Sequence, residues 1–181
     1  MITEYSLSTA PTTPGRPTKD VCVYLLRHGE TDLNALGVLQ GSIEAPLNTK
    51  GEQQAQQAAS HLINRGITRI VSSPQLRARQ TASAVAEKLN LTIEENPLLR
   101  ERDWGIHEGK PRSDRSDEGA GVEPYTALSQ RAQLAFNDIT SGLTEPCLMV
   151  SHSGLIKALL KQIVGNAPDV IHNGEVIKIT L

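Results

Sequence analysis

The sequence predicts an α/β protein, a three-layer α/β/α sandwich around a mostly parallel central sheet. Three observations carry this. Short apolar runs alternate with helical stretches along nearly the whole chain, the pattern of strands joined by crossover helices. Val21 to Leu26 is apolar at every position, which suits a strand buried on both faces. Two such runs end on a histidine beside a glycine, Leu26-Arg27-His28-Gly29 and Val150-Ser151-His152-Ser153-Gly154.

The elements follow in order. Residues 1–20 read as an irregular lead-in, because Ser6 to Lys19 is rich in Ser, Thr and Pro and has no periodic apolar pattern. A single domain over 21–181 follows. After the first strand comes a loop punctuated by Gly37, Gly41 and Pro46. Thr49-Lys50-Gly51-Glu52 has capping-box spacing and predicts a helix to about Asn64, stopped at Arg65-Gly66. Ile67 to Val71 is a second strand. Ser73-Pro74 reads as an N-cap with proline at the first helical position, opening a helix through about Leu89. Leu91 to Ile93 is a third strand, and the polar, glycine-containing stretch from Glu94 to Glu123 is mostly loop. Tyr125 to Ile139 has helical spacing, Cys147 to Val150 is a fourth strand, Leu155 to Val164 a helix, and Val176 to Leu181 a last strand.

Composition bounds the function. A chain of 181 residues buries one real core and leaves little room for a second domain. A net charge of -2 offers no electrostatic footprint for nucleic acid or an anionic membrane, and 3% aromatics is too few for base-stacking platforms. No apolar run approaches the ~18 residues of a membrane span, and the N-terminus lacks a secretory h-region. Only Arg16 and Lys19 are positive in the lead-in, so a transit peptide is weakly supported. Cys22 and Cys147 lie in apolar runs and read as buried thiols. A cytoplasmic protein is expected; the oligomeric state is unreadable.

Ligands of open α/β sheets bind outside the carboxyl ends of the strands, where both histidines are placed. A lone histidine is more often structural than catalytic, but a pair at matched strand ends points to a site. The helix after His152 aims free N–H groups at the same place, which favours an anion. Arg27 adjoins His28. Arg77 lies in the first turn of its helix, where it opposes the dipole and gains no helix stability, yet its fork of donors matches phosphate oxygens. Arg79, in the same turn, reads as a surface residue. Leu98 to Gly105 gathers charge around the single tryptophan, Trp104.

Together these segments closely resemble the histidine phosphatase superfamily, in the branch that includes cofactor-dependent phosphoglycerate mutase. The opening motif is Leu26-Arg27-His28-Gly29-Glu30-Thr31 with Asn34, then Gln40-Gly41 and Pro46 to Gly51. Ser72 to Ala82 resembles the second motif, Leu99-Arg100-Glu101 with Gly105 and Glu108-Gly109 the third, and Ser151 to Gly154 the fourth. A bare R-H-G is weak evidence; four motifs in family order from Val21 to Ile163 are strong. The resemblance implies a phosphoglycerate mutase-like fold and a metal-independent phosphatase that hydrolyses phosphate monoesters through a phosphohistidine on His28. It implies that Arg27, Arg77 and His152 neutralise the transferring phosphoryl group, and that Glu101 protonates the leaving alcohol and then activates water. Asn34, Gln40, Gly41 and Ser153 would contact the substrate, as would His172, in the turn His172-Asn173-Gly174. His61 reads as a surface residue. A carboxyl that donates a proton must be protonated in the first step, so activity is expected to favour mildly acidic pH. No cofactor and no metal are expected, since no H-E-x-x-H or Cys/His cluster of zinc spacing is present.

Departures from the family pattern sharpen the choice. His107 stands where relatives carry an aromatic, Gly121-Val122-Glu123-Pro124 replaces a Gly-Glu-Ser element, and the segment from Gly109 to Tyr125 makes only a short cap region. Lys110, Arg112 and Arg115 are rim contacts or solvated loop charges. Family mutases carry longer insertions and a C-terminal tail that keep water from the phosphoenzyme, whereas this sequence ends on its last strand, so hydrolysis leads over mutase-type transfer. Other readings stay open: a protein-phosphohistidine phosphatase, a binding protein on a phosphatase fold, and a metallohydrolase, which two arginines at the site disfavour. The expected partner is a phosphorylated small molecule.

Overall fold

Cys22–Arg27 (β2) and Cys147–Ser151 (β5) pair in parallel at the middle of a six-stranded sheet, and every residue of both is buried. Their side chains alternate between two separate cores. Val23, Leu25, Cys147 and Met149 face one side, while Cys22, Tyr24, Leu26, Leu148 and Val150 face the other. A continuous apolar run is thus two alternating faces, each covered by helices. We describe residues 2–7 and 21–181 of a computed structural model.

The sheet is completed by Ile2–Ser6 (β1), Arg69–Ser72 (β3), Ile93–Glu95 (β4) and Val176–Thr180 (β6), in the order β1-β6-β2-β5-β3-β4. Only β2 and β6 are antiparallel. Thr49–Leu62 (α2) and Leu76–Leu89 (α3) cover the face with Leu26, and Tyr125–Thr140 (α4) and Ser153–Ile163 (α5) cover the face with Met149. The architecture is the expected three-layer sandwich with a mostly parallel sheet. None of the described helices is long and apolar enough to cross a membrane.

Four local expectations need correction. The lead-in over 1–20 is not irregular throughout, since Ile2 to Ser6 lies parallel to β6 as an edge strand; residues 8–20 fall outside the described ones. The N-cap of α2 is Asn48, whose side chain accepts from Gly51 N–H, rather than Thr49. Ser73 does not cap α3: its hydroxyl accepts from Gln75 N–H in the turn before the helix and also meets His152, and the helix starts later, after Gln75. A four-residue helix, Asp32–Ala35 (α1), stands in the first loop with Thr31 and Asn34 as its reciprocal caps. The 94–123 segment is loop with three 3-10 turns after the short β4.

Candidate active site

The carboxyl ends of β2 and β5 open onto one cleft of about 200 Å³. Arg27, His28, Asn34, Gln40, Gly41, Arg77, Glu101 and Ser153 all line it. Its volume is below the ~300–1,000 Å³ of clefts that engulf drug-sized ligands, so it suits a phosphoryl group and the few atoms nearest it.

His28 is pinned by its neighbours. Its Nδ1 lies 2.6 Å from the Gly29 carbonyl oxygen, which only accepts, so Nδ1 carries the proton and Nε2 keeps its lone pair. Gly29 N–H donates to Thr81 Oγ1, which in turn donates to the Arg77 carbonyl. A side chain at Gly29 would meet the Gly51 carbonyl at 2.3 Å, so glycine is required where the strand end meets α2. Burial, and then the positive charges of Arg77 and Arg27, hold the His28 pKa well below the ordinary imidazole value. The ring is therefore neutral and nucleophilic at physiological pH.

His152 is completely buried and adds no surface to the cleft; its ring centroid stands 5.0 Å from that of His28. Its Nε2 bonds Ser73 Oγ at 2.8 Å. Burial, then Arg77, His28 and Arg27, lower its pKa in the same way. Arg77 is fully buried and donates from Nη1 and Nη2 to the Ile43 and Gly41 carbonyls. Arg27 donates from Nη1 to the Ile171 carbonyl, and burial lowers its pKa to about 10, which leaves it cationic at neutral pH.

What these three residues lack is as informative. Four buried side-chain N–H or ring nitrogen atoms have no partner among the described residues, and three of them are Arg27 Nε, Arg77 Nε and His152 Nδ1. Each unsatisfied buried polar atom costs about 1–3 kcal/mol. A cluster of them at a strand-end cleft, beside two buried cations, is a preorganised shell for an anion.

Glu101 enters from the opposite wall. Its carboxylate accepts from Arg102 N–H at 2.9 Å and from Gly154 N–H at 3.3 Å. A Cβ at position 154 would fall 2.4 Å from Glu101 Oε1, so the glycine makes room for the carboxylate at the start of α5. Three residues that sequence reasoning did not single out position the walls of the cleft. Gln75 accepts from Glu101 N–H and donates to the Gly41 carbonyl. Arg131, on α4, donates to the Leu98, Arg100 and Glu101 carbonyls and pairs with Glu123 at 2.8 Å. Asn173 donates to the His28 carbonyl and to Asn34 Oδ1; because Thr31 N–H uses the same oxygen, the Asn34 amide nitrogen is turned away from both. The signal for Asn173 was its place in the turn before the last strand, which was read for its neighbour instead. His172 does not reach the cleft. Its backbone N–H is held by Glu175, and the exposed ring lines a separate groove with His61 and Gln57.

Around the mouth, Arg112, Arg115, Trp104 and Lys157 join the lining, while Lys110 stays exposed. Arg79 is exposed and lies 3.5 Å from Glu95, as a surface residue should. Glu108 ties the mouth to the frame by accepting from Ser42 and from Trp104 N–H. No group of three or more His, Cys, Asp and Glu side chains among the described residues is placed to hold a metal ion.

Comparison with known proteins agrees with this arrangement. The family model for the histidine phosphatase superfamily (branch 1) matches residues 23–180. The chain is 34% identical over 154 residues to the "uncharacterized phosphatase PhoE" of Bacillus subtilis, covering 82% of this chain and 80% of that one. It is 37% identical over 161 residues to a "probable phosphoglycerate mutase GpmB" of an Enterobacter species, covering 79% and 74%. Among solved structures, Bacillus stearothermophilus YhfR superposes with a TM-score of 0.81 at 26% identity, over 87% of this chain and 90% of that one. The chain thus belongs to branch 1 of the histidine phosphatase superfamily.

Proposed function

We propose that the protein is a metal-independent phosphomonoesterase that works through a phosphohistidine on His28. The observation that carries the proposal is the set of buried, partnerless nitrogens on Arg27, Arg77 and His152 beside a neutral imidazole whose Nε2 is free. Nε2 attacks phosphorus and the bond from phosphorus to the ester oxygen breaks. The departing alkoxide takes a proton from the Glu101 carboxyl and leaves as an alcohol. Water then gives a proton to the Glu101 carboxylate and attacks phosphorus. The P–N bond breaks, and inorganic phosphate and neutral His28 are regenerated. Arg27, Arg77 and the α5 N-terminus hold the equatorial oxygens throughout, and such positioning and charge stabilisation are most of what phosphoryl transfer needs. Glu101 must start protonated while His28 stays neutral well below pH 6.5, so activity is expected to favour mildly acidic pH.

The short rim between Gly109 and Tyr125 leaves the cleft open to water, which supports hydrolysis. Mutase-type transfer is the second reading, favoured by the similarity to the probable phosphoglycerate mutase. The deciding experiment is hydrolysis of p-nitrophenyl phosphate from pH 5 to 8 with EDTA, by wild type and His28→Ala. Chelator-resistant turnover that falls by at least ~10³-fold in the variant is expected. Turnover that needs a divalent metal, or that survives in His28→Ala, would sink the proposal. Phosphate exchange between phosphoglycerates without net release would favour the mutase.

A further inference from the structure

Arg27 and His28 are gripped from behind by one turn, residues 171–175, which does not itself line the cleft. The Ile171 carbonyl accepts from Arg27 Nη1, and the Glu175 carbonyl accepts from Arg27 N–H at 3.1 Å. Gly174 N–H lies 3.1 Å from the Arg27 carbonyl oxygen and 3.3 Å from that of His28. The turn is itself held. The Glu175 carboxylate accepts from His172 N–H at 2.7 Å and from the Thr3 hydroxyl of β1 at 3.5 Å. Gly174 has a φ of 75°, and a Cβ there would meet Gln54 Cβ at 2.9 Å, so glycine lets the turn lie against α2.

Asn173 is the residue of this turn whose side chain reaches toward the site. Its Nδ2 stands 3.0 Å from the His28 carbonyl oxygen and 3.2 Å from Asn34 Oδ1. A carbonyl oxygen only accepts, which fixes this end of the amide as the nitrogen, and its two protons serve both oxygens. The same logic fixes Asn34, whose Oδ1 takes Thr31 N–H at 3.2 Å as well as Asn173 Nδ2. Asn34 Nδ2 is left without a hydrogen bond among the described residues, on a side chain that lines the cleft.

The two ends of an amide are nearly equal in size, so packing alone does not choose which one faces the cleft. Two N–H donors on the far side do, one from Thr31 and one from Asn173. Turned the other way, Asn34 would set a carbonyl oxygen against the oxygens of a phosphate dianion and repel it. His28 depends less on Asn173, because Gly174 N–H also reaches its carbonyl.

We infer that Asn173 is a positioning residue that acts through Asn34, holding that amide with its N–H end toward the transferring phosphoryl group. This rests on the phosphatase reading above, with Asn34 Nδ2 donating to a phosphoryl oxygen.

Asn173→Asp keeps the shape of the side chain but sets carboxylate oxygens against the His28 carbonyl and Asn34 Oδ1, a repulsion that turning the Asn34 amide relieves. Asn173→Leu removes the donor without adding charge. The test measures the dissociation constant of inorganic phosphate by calorimetry, and kcat/KM on p-nitrophenyl phosphate. Both are read in wild type, in each variant and in the same pair built on Asn34→Ala, with folding checked by thermal melting. Phosphate affinity is expected to fall at least ~30-fold in Asn173→Asp and about fivefold in Asn173→Leu, the scale of a lost or reversed hydrogen bond to an anion. A packing role would rank the two the other way, since only Asp keeps the shape of Asn. On Asn34→Ala the effect of Asn173→Asp is expected to shrink to about sixfold or less, because no amide is left to turn. Where phosphate binds too weakly to titrate, kcat/KM carries the same ratios. An undiminished effect on Asn34→Ala, or an Asn173→Asp variant within threefold of wild type, overturns the inference and leaves the phosphatase reading standing. Phosphate binding with the expected pattern but no turnover by wild type sinks the phosphatase reading alone. If wild type neither binds phosphate nor turns over, both fall.

Discussion

The floor and the mouth of the cleft are built on different principles. The floor is made of strand ends and helix starts. Arg27 and His28 close β2, His152 and Ser153 join β5 to α5, and Arg77 is locked by two backbone carbonyls at the head of α3. The mouth is a loop of 3-10 turns from Gly105 to Glu123, exposed over most of its length and fastened by backbone bonds of residues 109–112 to Gly37 and Leu39, by Glu108, by the bond of His107 to the Glu118 carbonyl, and by Arg102 with Asp117. The floor is rigid because its cations are buried and their remaining donors are preorganised. The mouth is the more replaceable part, because most of its side chains are exposed. On the proposed function, reaction chemistry belongs to the floor.

Arg77→Met is the strongest way to break that division. It leaves the Gly41 and Ile43 carbonyls without their donors and removes a buried cation that the proposed mechanism sets against the phosphoryl group. A loss of at least ~10³-fold in kcat/KM is expected, with destabilisation of about 3–5 kcal/mol from the orphaned buried groups. Denaturant unfolding and p-nitrophenyl phosphate kinetics read the two effects. A variant as active as wild type would mean that the buried shell is structural only.

The same contrast explains how much was legible beforehand. The floor could be read because its elements are the most regular: apolar runs mark β2 and β5, and each ends abruptly on a histidine. The partners that aim these residues could not. Gln75 looks like an ordinary residue before a helix, and Arg131 like a surface charge on an amphipathic one; only the folded chain brings them to Glu101 from 26 and 30 positions away. Ser73-Pro74 has the composition of a helix cap, but the Ser73 hydroxyl closes a turn onto Gln75 N–H and meets His152, and the helix begins only at Leu76. The edge strand β1 escaped because it is short and mostly exposed, and its partner β6 lies at the far end of the chain. At the mouth, sequence supplied the charges but not their pairing, which separates Arg102, ion-paired, from Arg115, free of a carboxylate.

A second test uses pH to weigh the floor alone. His28 and His152 stay neutral when folded, whereas an unfolded imidazole takes up a proton below about pH 6.5. The unfolded state then binds more protons, so stability is full above that pH and falls as pH drops below it. The slope approaches about 1.4 kcal/mol per pH unit for each ring. Chemical denaturation at pH 7, 6 and 5 should show the decline, and His152→Asn should roughly halve its slope. An unchanged slope would mean that His152 is protonated in the fold.

The smallest effect is expected at the mouth, and it sets the scale for the others. His107 stands where relatives carry an aromatic side chain, and its Nε2 makes one bond, 2.8 Å, to the Glu118 carbonyl in an exposed loop. A single exposed hydrogen bond contributes about 0.5–1.5 kcal/mol at most, since water replaces the lost partner. His107→Ala should therefore cost less than about 1 kcal/mol in unfolding free energy and change kcat on p-nitrophenyl phosphate by less than about threefold, because none of the groups bonded to Glu101 or His28 moves. KM for an anionic substrate is the quantity free to shift, as the loop that carries Arg112 and Arg115 loosens. If kcat instead fell as far as in Arg77→Met, the loop would have to be holding Glu101 in place through Trp104 and Glu108, and the mouth would be part of the catalytic frame rather than a replaceable rim.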